Sequence, residues 1–173
     1  VIPLYNKESY IARTIESVLN QTVSADEIVI VDDGSTDNSA GEVLKFKDNR
    51  IRLIQQQNAG EGAARNRGVT EARNDLVAFL DADDEWKPDF LLHVRRLYRN
   101  FPDCGAYATS YEILNSDGRK SSAVLEGVPP SPWIGIIPSL FRMSQKDPPF
   151  CSSSIAIPKK IFWDLGGFPQ GIK

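Results

Sequence analysis

The chain has 173 residues, of which 41% are hydrophobic and 25% are charged, and these are the proportions of an ordinary folded domain. This composition excludes disordered and fibrous proteins, and the length predicts a single domain. The net charge is −3, so the sequence offers no general electrostatic attraction to nucleic acid or to an anionic membrane. Its apolar runs are too short to span a bilayer. We therefore expect no nucleic-acid partner and no transmembrane segment.

Hydrophobic patterns predict alternating strands and helices. Aliphatic runs indicate strands at 1–4, 28–31, 51–54 and 76–80, and apolar residues three to four apart indicate helices at 11–19, 40–44, 62–72 and 90–98. After residue 107 the pattern weakens and predicts only a strand at 155–157 and a helix at 158–165. This order predicts an α/β fold, a three-layer α/β/α sandwich around a mostly parallel central sheet.

Both ends of the sequence lie next to predicted secondary structure. The chain begins without Met in a strand-like segment and ends just after a glycine-rich turn at Gly166-Gly167-Phe168. We expect residues 1–173 to form a single domain that is truncated at both ends, with one half at 1–115 and a partial half at 116–173. The proline-rich stretch 121–133 favours extended backbone and is the expected connection between the halves.

Acidic residues directly follow two predicted strands. Asp32 and Asp33 end the second strand, and Asp81 and Asp83 follow the fourth. Ligands bind beyond the carboxyl ends of the strands in such sheets, so these carboxylates should share a crevice. A cation or hydrogen-bond donors must neutralise such a cluster, and its oxygens suit Mg²⁺ or Mn²⁺, which would also hold a substrate diphosphate. Alternatively, each acid serves as a helix cap or a turn residue.

A segment of small residues, 58–68, leads into the third helix and carries Arg65 and Arg67. A helix N-terminus with one of these arginines would suit a phosphate group or the edge of a base. The same residues would also serve tight packing of the helix on the sheet, with the arginines in solvent. The segment is not a dinucleotide-binding fingerprint, because Arg65 stands where the third glycine is required.

Four segments, in this order and spacing, resemble glycosyltransferase family 2. They are VIPLYNKE at 1–8, VDDGSTD at 31–37, Gly60 with ARN at 64–66, and FLDADD at 79–84. The turn at Gly166-Gly167-Phe168 is also similar to the family's. The resemblance is strong over residues 1–115, and it implies the nucleotide-diphospho-sugar transferase fold of the GT-A type and inversion at the anomeric carbon.

The resemblance implies a nucleotide-binding half at 1–115 and a partial acceptor-side half at 116–173. In the first half, Leu4, Tyr5 and Glu8 would line the nucleotide. Asp33 would accept a hydrogen bond from the base, which is typically uracil.

The remaining implied site residues surround the diphosphate. Gly60 and Arg65 would complete the wall around the base or diphosphate. Asp83 would bind Mn²⁺ or Mg²⁺, and Asp81 would bind the ribose or a metal-bound water. Asp84 is a further acid beside them.

The implied reaction transfers a sugar from a nucleotide-diphospho-sugar, expected to be a UDP-sugar, to a hydroxyl of a saccharide or lipid-linked acceptor in cell-envelope polysaccharide biosynthesis. Family members carry the general base in an acidic pair beyond a turn like Gly166-Gly167-Phe168, and this sequence ends at Lys173 before such a pair. We therefore expect these residues to bind donor nucleotide but to transfer sugar poorly, and robust transfer would contradict this. The expected location is cytoplasmic, with peripheral association of the full-length protein at the inner face of the membrane as an alternative.

Two other classes of protein share part of this pattern. A phosphoacceptor domain of the receiver type also has a strand that ends in two acids and a later strand that ends in an aspartate. A complete strand and helix before Ile28 argue against it, no lysine follows the Tyr107 region where one would be wanted, and the Asp81-Ala82-Asp83 spacing stays unexplained. Only a receiver would gain an acid-labile phosphate from a small phosphodonor. An enzyme of sugar-nucleotide synthesis would need a glycine-rich basic loop after the first strand, and residues 4–8 are not one.

Overall fold

The structure is a computed structural model that describes residues 1–115, 117–123, 129, 132–137 and 147–169. Its strands are β1 (Ile2–Leu4), β2 (Ile28–Asp32), β3 (Ile51–Gln55), β4 (Leu76–Ala78), β5 (Tyr107–Ala108), β6 (Glu112–Leu114), β7 (Lys120–Ser122) and β8 (Ile155–Pro158). Its helices are α1 (Ile11–Leu19), α2 (Ser39–Leu44), α3 (Glu61–Glu71), α4 (Phe90–Asn100) and α5 (Lys159–Asp164), and a short 3-10 helix (Ser152–Ser154) precedes β8.

Within the described residues, six strands form the central sheet. Strands β1, β2 and β3 are parallel, with Ile30 of β2 opposite Ile2 of β1, and β8 pairs in antiparallel fashion with β4 on one side and β5 on the other. Main-chain hydrogen bonds join the two groups, from the Val1 amine to the Ala78 carbonyl oxygen (2.8 Å) and from the Leu80 amide to the Val1 carbonyl oxygen (3.1 Å). The order is therefore β3-β2-β1-β4-β8-β5, in which β8 alone is antiparallel.

Helices cover both faces of this sheet because successive residues of a strand point to opposite sides. In β2, Ile28 and Ile30 pack into a core with residues of α1 and α2, whereas Val29 and Val31 pack against Ala64 of α3. A further cluster joins α3, α5 and the end of β4, and its buried members include Val69, Phe79 and Phe162. The predicted three-layer sandwich is confirmed.

The structure differs from the predicted elements in two respects. Strand β4 ends at Ala78 instead of residue 80, although the Phe79 amide still donates to the Ile155 carbonyl oxygen (3.1 Å). Strands β5, β6 and β7 were not predicted, because they have two or three residues each. All residues of β6 and β7 are exposed, so no hydrophobic pattern marks these two strands. Most of the stretch 121–133 lies outside the described residues.

The sheet order does not favour a receiver domain. Receiver-type sheets are parallel with the strand order 2-1-3-4-5, whereas this sheet places β1 between β2 and β4 and inserts the antiparallel β8. Among the helices of the described residues, none has the length and hydropathy of a membrane span.

Glu27, immediately before β2, connects three segments of the fold. Its Oε1 accepts hydrogen bonds from the main-chain amides of Arg73 (2.6 Å) and Asn74 (3.0 Å) and from the Asn74 side chain (2.8 Å), and Oε2 lies 3.4 Å from Arg52 of β3. Burial of this carboxyl acts to raise its pKa, but the hydrogen bonds and the Arg52 charge outweigh burial and lower the pKa below its usual 4.5.

This network makes the stability of the fold depend on pH. A carboxyl whose pKa is lowered by folding stabilises the native state above its unfolded pKa, and the contribution is lost as the pH falls through the folded value. We expect Glu27→Gln to lower the free energy of unfolding at pH 7 by about 1–2 kcal/mol, as measured by urea denaturation. The difference from the unsubstituted protein should shrink as the pH falls below 4.5. Glu16→Gln, on the exposed face of α1, is the control and should change little at either pH.

Candidate functional site

A cavity of about 630 Å³ opens at the carboxyl ends of β1, β2 and β4. This is the edge at which the sequence predicts a ligand crevice, and the volume lies within the range of small-molecule sites. The residues that line it are Pro3, Leu4, Tyr5, Lys7, Asp33, Asn58, Ala59, Gly60, Glu61, Ala64, Asp81, Ala82 and Asp83.

The cavity brings together six of the eight predicted site residues: Leu4, Tyr5, Asp33, Gly60, Asp81 and Asp83. Glu8 and Arg65 are not in its wall. The Glu8 carboxylate accepts a hydrogen bond from the Asn38 amide (2.8 Å) just before α2, and Arg65 lies behind the wall against Asp81. The ligand roles implied for all eight residues stay predictions.

Asp33 is buried and holds the loop between β3 and α3. Its Oδ1 accepts hydrogen bonds from the Gln56 side chain (2.7 Å) and the Ala59 amide (3.0 Å), and its Oδ2 accepts one from the Gly60 amide (2.8 Å). Gly60 has a φ of 91°, a conformation that favours glycine, and this backbone geometry turns the chain into α3. A carboxylate oxygen can accept two hydrogen bonds, so Oδ2 retains capacity for one further donor in the cavity.

Asp32 has the turn role that the sequence left open. Its Oδ1 accepts a hydrogen bond from the Ser35 amide (3.0 Å), and its Oδ2 accepts one from the Gln55 side chain (3.0 Å). Asp32 does not line the cavity. The two adjacent acids therefore differ, since Asp32 stabilises the turn after β2 and Asp33 faces the cavity.

Asp81 is neutralised by a buried arginine. Nη2 of Arg65, a residue that is only 7% exposed, lies 2.6 Å from Asp81 Oδ1 and 2.6 Å from Glu61 Oε1, and its guanidinium is centred 5.0 Å from the Phe168 ring. Among the described residues, Arg65 Nε has no hydrogen-bond partner. Arg65 thus supports the cavity wall from behind instead of extending into it.

Ser152 and Ser153 complete the surroundings of the acidic motif, and the sequence did not identify them. Ser152 Oγ donates to Asp81 Oδ2 (2.6 Å), and Ser153 Oγ accepts from the Asp81 amide (3.0 Å) and donates to Asp84 Oδ2 (2.5 Å). Antiparallel pairing of β8 with β4 causes this contact, because it places the residues before β8 beside those after β4. The run of three serines before the strand at 155–157 is visible in the sequence. Only the antiparallel register of β8 and β4 shows that Ser152 and Ser153 contact the acidic motif.

Asp84 lies beside the cavity wall but not in it. Loss of water around its carboxyl raises the pKa of Asp84, even though the residue as a whole remains exposed. The Ser153 hydrogen bond opposes this increase, and the negative charges of Asp81 and Asp83 add to it.

Asp83 forms an ion pair with Lys7, which sequence analysis also missed as a site residue. Lys7 Nζ lies 2.5 Å from Asp83 Oδ2, and the two side chains are 36% and 40% exposed. The hydrogen bond to Asp83 raises the pKa of Lys7, so its ammonium stays charged at neutral pH. Lys7 lies six residues after the start of the first motif, and nothing in its local sequence indicates a partner 76 residues away.

The donor set suits a divalent cation that is shared with a substrate. In the described part of the chain, no three side chains of His, Cys, Asp or Glu come together as a metal site. Mg²⁺ is usually held by one or two carboxylates together with substrate phosphates. Asp83 in the cavity wall fits such a site, and Lys7 is the one described residue that donates to its carboxylate.

The turn at 166–168 is fastened to α3. Asn66 donates to the Phe168 carbonyl oxygen (2.9 Å) and accepts from the Phe168 amide (2.8 Å), while the Phe168 ring packs edge-on to Phe79 at 5.5 Å. The predicted general base, expected beyond Lys173, lies outside the described residues.

Comparison with known proteins identifies the family. The model of the family described as glycosyl transferase family 2 matches residues 1–166. The chain therefore belongs to glycosyltransferase family 2, and the receiver alternative is not favoured.

Two relatives illustrate the extent of the similarity. An uncharacterized glycosyltransferase of Nostoc sp. strain PCC 7120, alr2836, is 46% identical over 102 residues, which are 57% of this chain and 32% of that protein. The Escherichia coli protein named UDP-Glc:alpha-D-GlcNAc-diphosphoundecaprenol beta-1,3-glucosyltransferase WfgD is 36% identical over 119 residues, which are 68% of this chain and 46% of that protein. The matched segment thus spans between a third and a half of each of these two relatives.

Two solved structures share the fold. Staphylococcus aureus TarS 1–349 in complex with UDP-GlcNAc aligns with a TM-score of 0.72 at 20% identity, over 99% of this chain and 48% of that one. The mannosyltransferase PcManGT of Pyrobaculum calidifontis in complex with GDP-Man and Mn²⁺ aligns with a TM-score of 0.71 at 21% identity, over 97% of this chain and 46% of that one. The predicted GT-A fold is confirmed.

The two ion pairs of Arg65, with Asp81 and with Glu61, allow a test of what stabilises the cavity wall. We expect Arg65→Met to lower the free energy of unfolding by about 3 kcal/mol, because it leaves Asp81 without its buried cation. Glu61→Gln is the matched control, since it removes the other carboxylate partner of Arg65. The Glu61 side chain is 60% exposed, so this change should lower the free energy of unfolding by less than about 1 kcal/mol. Urea denaturation of both variants measures the difference. If both variants lost the same free energy of unfolding, the pair between Arg65 and Asp81 would not be the reason why Arg65 stabilises the fold.

Proposed function

We propose that this chain binds a nucleotide-diphospho-sugar, most simply a UDP-sugar, in the cavity and belongs to an enzyme that transfers the sugar to an acceptor hydroxyl with inversion. The observation that carries the proposal is the meeting of Leu4, Tyr5, Asp33 and the Asp81-Ala82-Asp83 triplet in one cavity. These residues lie at or just beyond the carboxyl ends of three strands, and the sequence resemblance implies contacts to different parts of one nucleotide for them. Inversion rests on the family resemblance.

Asp33 supports recognition of a base. Its carboxylate is held by three donors, and Oδ2 has capacity for a fourth. Because the three existing bonds fix the carboxylate, it can accept a ring N–H without losing much side-chain freedom. Uracil carries such a donor, and the relatives support a uridine donor, since the WfgD name includes UDP-Glc and TarS was solved with UDP-GlcNAc.

Asp83 supports metal-assisted binding of the diphosphate. It would hold Mn²⁺ or Mg²⁺, and such an ion stabilises the negative charge that develops on a leaving diphosphate. The fold neighbour PcManGT was solved with Mn²⁺. Asp81 keeps its place beside Asp83 through Arg65 and Ser152, so that two adjacent carboxylates lie in one wall without unbalanced charge.

We further propose a saccharide or lipid-linked acceptor and a cytoplasmic location, at the inner face of the membrane when the acceptor is lipid-linked. The name of WfgD, whose acceptor is a diphosphoundecaprenol-linked sugar, supports this for one relative. Acceptor contacts would involve residues beyond those described around the cavity.

Nucleotide titration with and without metal tests the proposal. We expect UDP to bind more tightly than GDP or TDP, and Mn²⁺ to raise the UDP affinity by about 10- to 100-fold, a common size for coupled ligands. Isothermal titration calorimetry with each diphosphate measures both effects. Equal affinities for the three nucleotides would contradict the uridine donor, and indifference to Mn²⁺ would contradict the metal site.

The variant Asp83→Asn tests whether Asp83 is the carboxylate through which Mn²⁺ acts on the UDP affinity. This change should abolish the increase that Mn²⁺ gives to the UDP affinity while leaving the weaker, metal-free binding in place. Asp26→Asn is the matched control, because Asp26 is an exposed aspartate that pairs with Arg95 away from the cavity. A Mn²⁺ effect that survives Asp83→Asn would place the ion elsewhere.

A further inference from the structure

The positively charged Lys7 ammonium contacts the Asp83 carboxylate, which the proposed function assigns to a metal ion. The ammonium and Asp83 Oδ2 lie 2.5 Å apart, and both residues line the cavity. A divalent ion that binds Asp83 must therefore displace the Lys7 ammonium or remain beside it. Two cations at one half-exposed carboxylate repel each other, so Lys7 opposes metal binding while it stays in this position.

The Lys7 side chain can move without the backbone. Its main-chain amide donates to Ser39 Oγ (2.8 Å), and its carbonyl oxygen accepts from the amides of Tyr10 (2.9 Å) and Ile11 (3.0 Å) at the start of α1. The four-carbon side chain carries a compact charge on a flexible stem. In the described part of the chain, Asp83 is the hydrogen-bond partner of Lys7 Nζ. Once this bond is broken, the ammonium is free to reach another anion in the same cavity.

We propose that Lys7 is a movable counter-ion: it neutralises Asp83 in the empty cavity and pairs with a diphosphate oxygen of the donor when a metal takes Asp83. This inference rests on the proposed function. It makes binding of metal and nucleotide mutually dependent, because the charge released from Asp83 finds its new partner only when the diphosphate is present. Each ligand then raises the affinity for the other by the same factor.

Lys7→Met separates this role from a structural one, because its two effects have opposite signs. Without nucleotide, the variant should bind Mn²⁺ about 3- to 10-fold more tightly, since the competing charge is gone. With Mn²⁺ at saturation, it should bind UDP about 3- to 10-fold more weakly, since a charged contact to phosphate is lost. If Lys7 only supported the fold, both affinities would fall. Titration calorimetry with MnCl₂ alone, and with UDP in the presence of saturating MnCl₂, measures them.

Two lysine variants serve as controls. Lys7→Arg keeps the charge and should retain weak Mn²⁺ binding in the absence of nucleotide. Lys45→Met removes an exposed lysine that pairs with Glu42 and does not line the cavity, and it should change neither affinity. Tighter Mn²⁺ binding by Lys45→Met would indicate a general effect of net charge and would overturn the proposal.

Asp83→Asn distinguishes failure of this inference from failure of the proposed function. If Asp83→Asn removes Mn²⁺ binding but Lys7→Met leaves the Mn²⁺ affinity unchanged or weaker, the metal site stands and the counter-ion role is wrong. If Asp83→Asn leaves Mn²⁺ binding intact, the metal assignment fails and the counter-ion role fails with it. The opposite shifts in Lys7→Met, together with loss of Mn²⁺ binding in Asp83→Asn, would support both.

Discussion

Asp33, Asp81 and Asp83 are among the acidic residues that line one cavity, and the carboxylate of each is compensated in a different way. Asp33 is buried and accepts two main-chain amides and one side-chain amide, Asp81 faces the buried Arg65, and Asp83 pairs with the half-exposed Lys7. A carboxylate removed from water without such partners would take up a proton or destabilise the fold. The site can therefore present several negative charges to a ligand only because the surrounding chain neutralises them.

The compensating groups also connect parts of the sequence that lie far apart. Lys7 follows β1 and Arg65 lies in α3, whereas Ser152 precedes β8, and all three act on the motif after β4. The bonds of Lys7 and Arg65 connect the group β1-β2-β3 and its helix α3 to the group β4-β8-β5 at the cavity. The same interactions therefore determine the geometry of the cavity and the stability of the fold. For this reason a substitution such as Arg65→Met is expected to affect both.

Much of the fold follows from the sequence because its signals are local. β2 is a continuous β-branched run buried on both faces, and the spacing of Ile11, Ile15 and Val18 describes one buried helix face. The acidic residues at the strand ends follow from the same reasoning, since parallel strands bring their carboxyl ends to one edge. The short strands β6 and β7 gave no such signal, because their residues are exposed.

The partners of the acidic residues could not be predicted because they depend on register and on the direction of side chains. Ser152 reaches Asp81 only because β8 runs antiparallel to β4, whereas the sequence led us to expect mostly parallel strands. Arg65 was expected in the wall because its segment resembles the family motif, but α3 directs it behind the wall, towards Asp81 and the Phe168 ring.

Helix α3 links the cavity to the residues that follow α5. Consecutive residues of this helix have separate tasks: Ala64 lines the cavity, Arg65 neutralises Asp81, and Asn66 holds both main-chain groups of Phe168. Gly62 lies one turn earlier, where an added Cβ would come within 2.4 Å of the Pro169 carbonyl oxygen. Because the Cβ would meet a main-chain atom, α3 and the segment 166–169 can come this close only when position 62 has no side chain. The absence of a side chain at Gly62 thus helps to fix residues 166–169 in position relative to the carboxylates of the cavity.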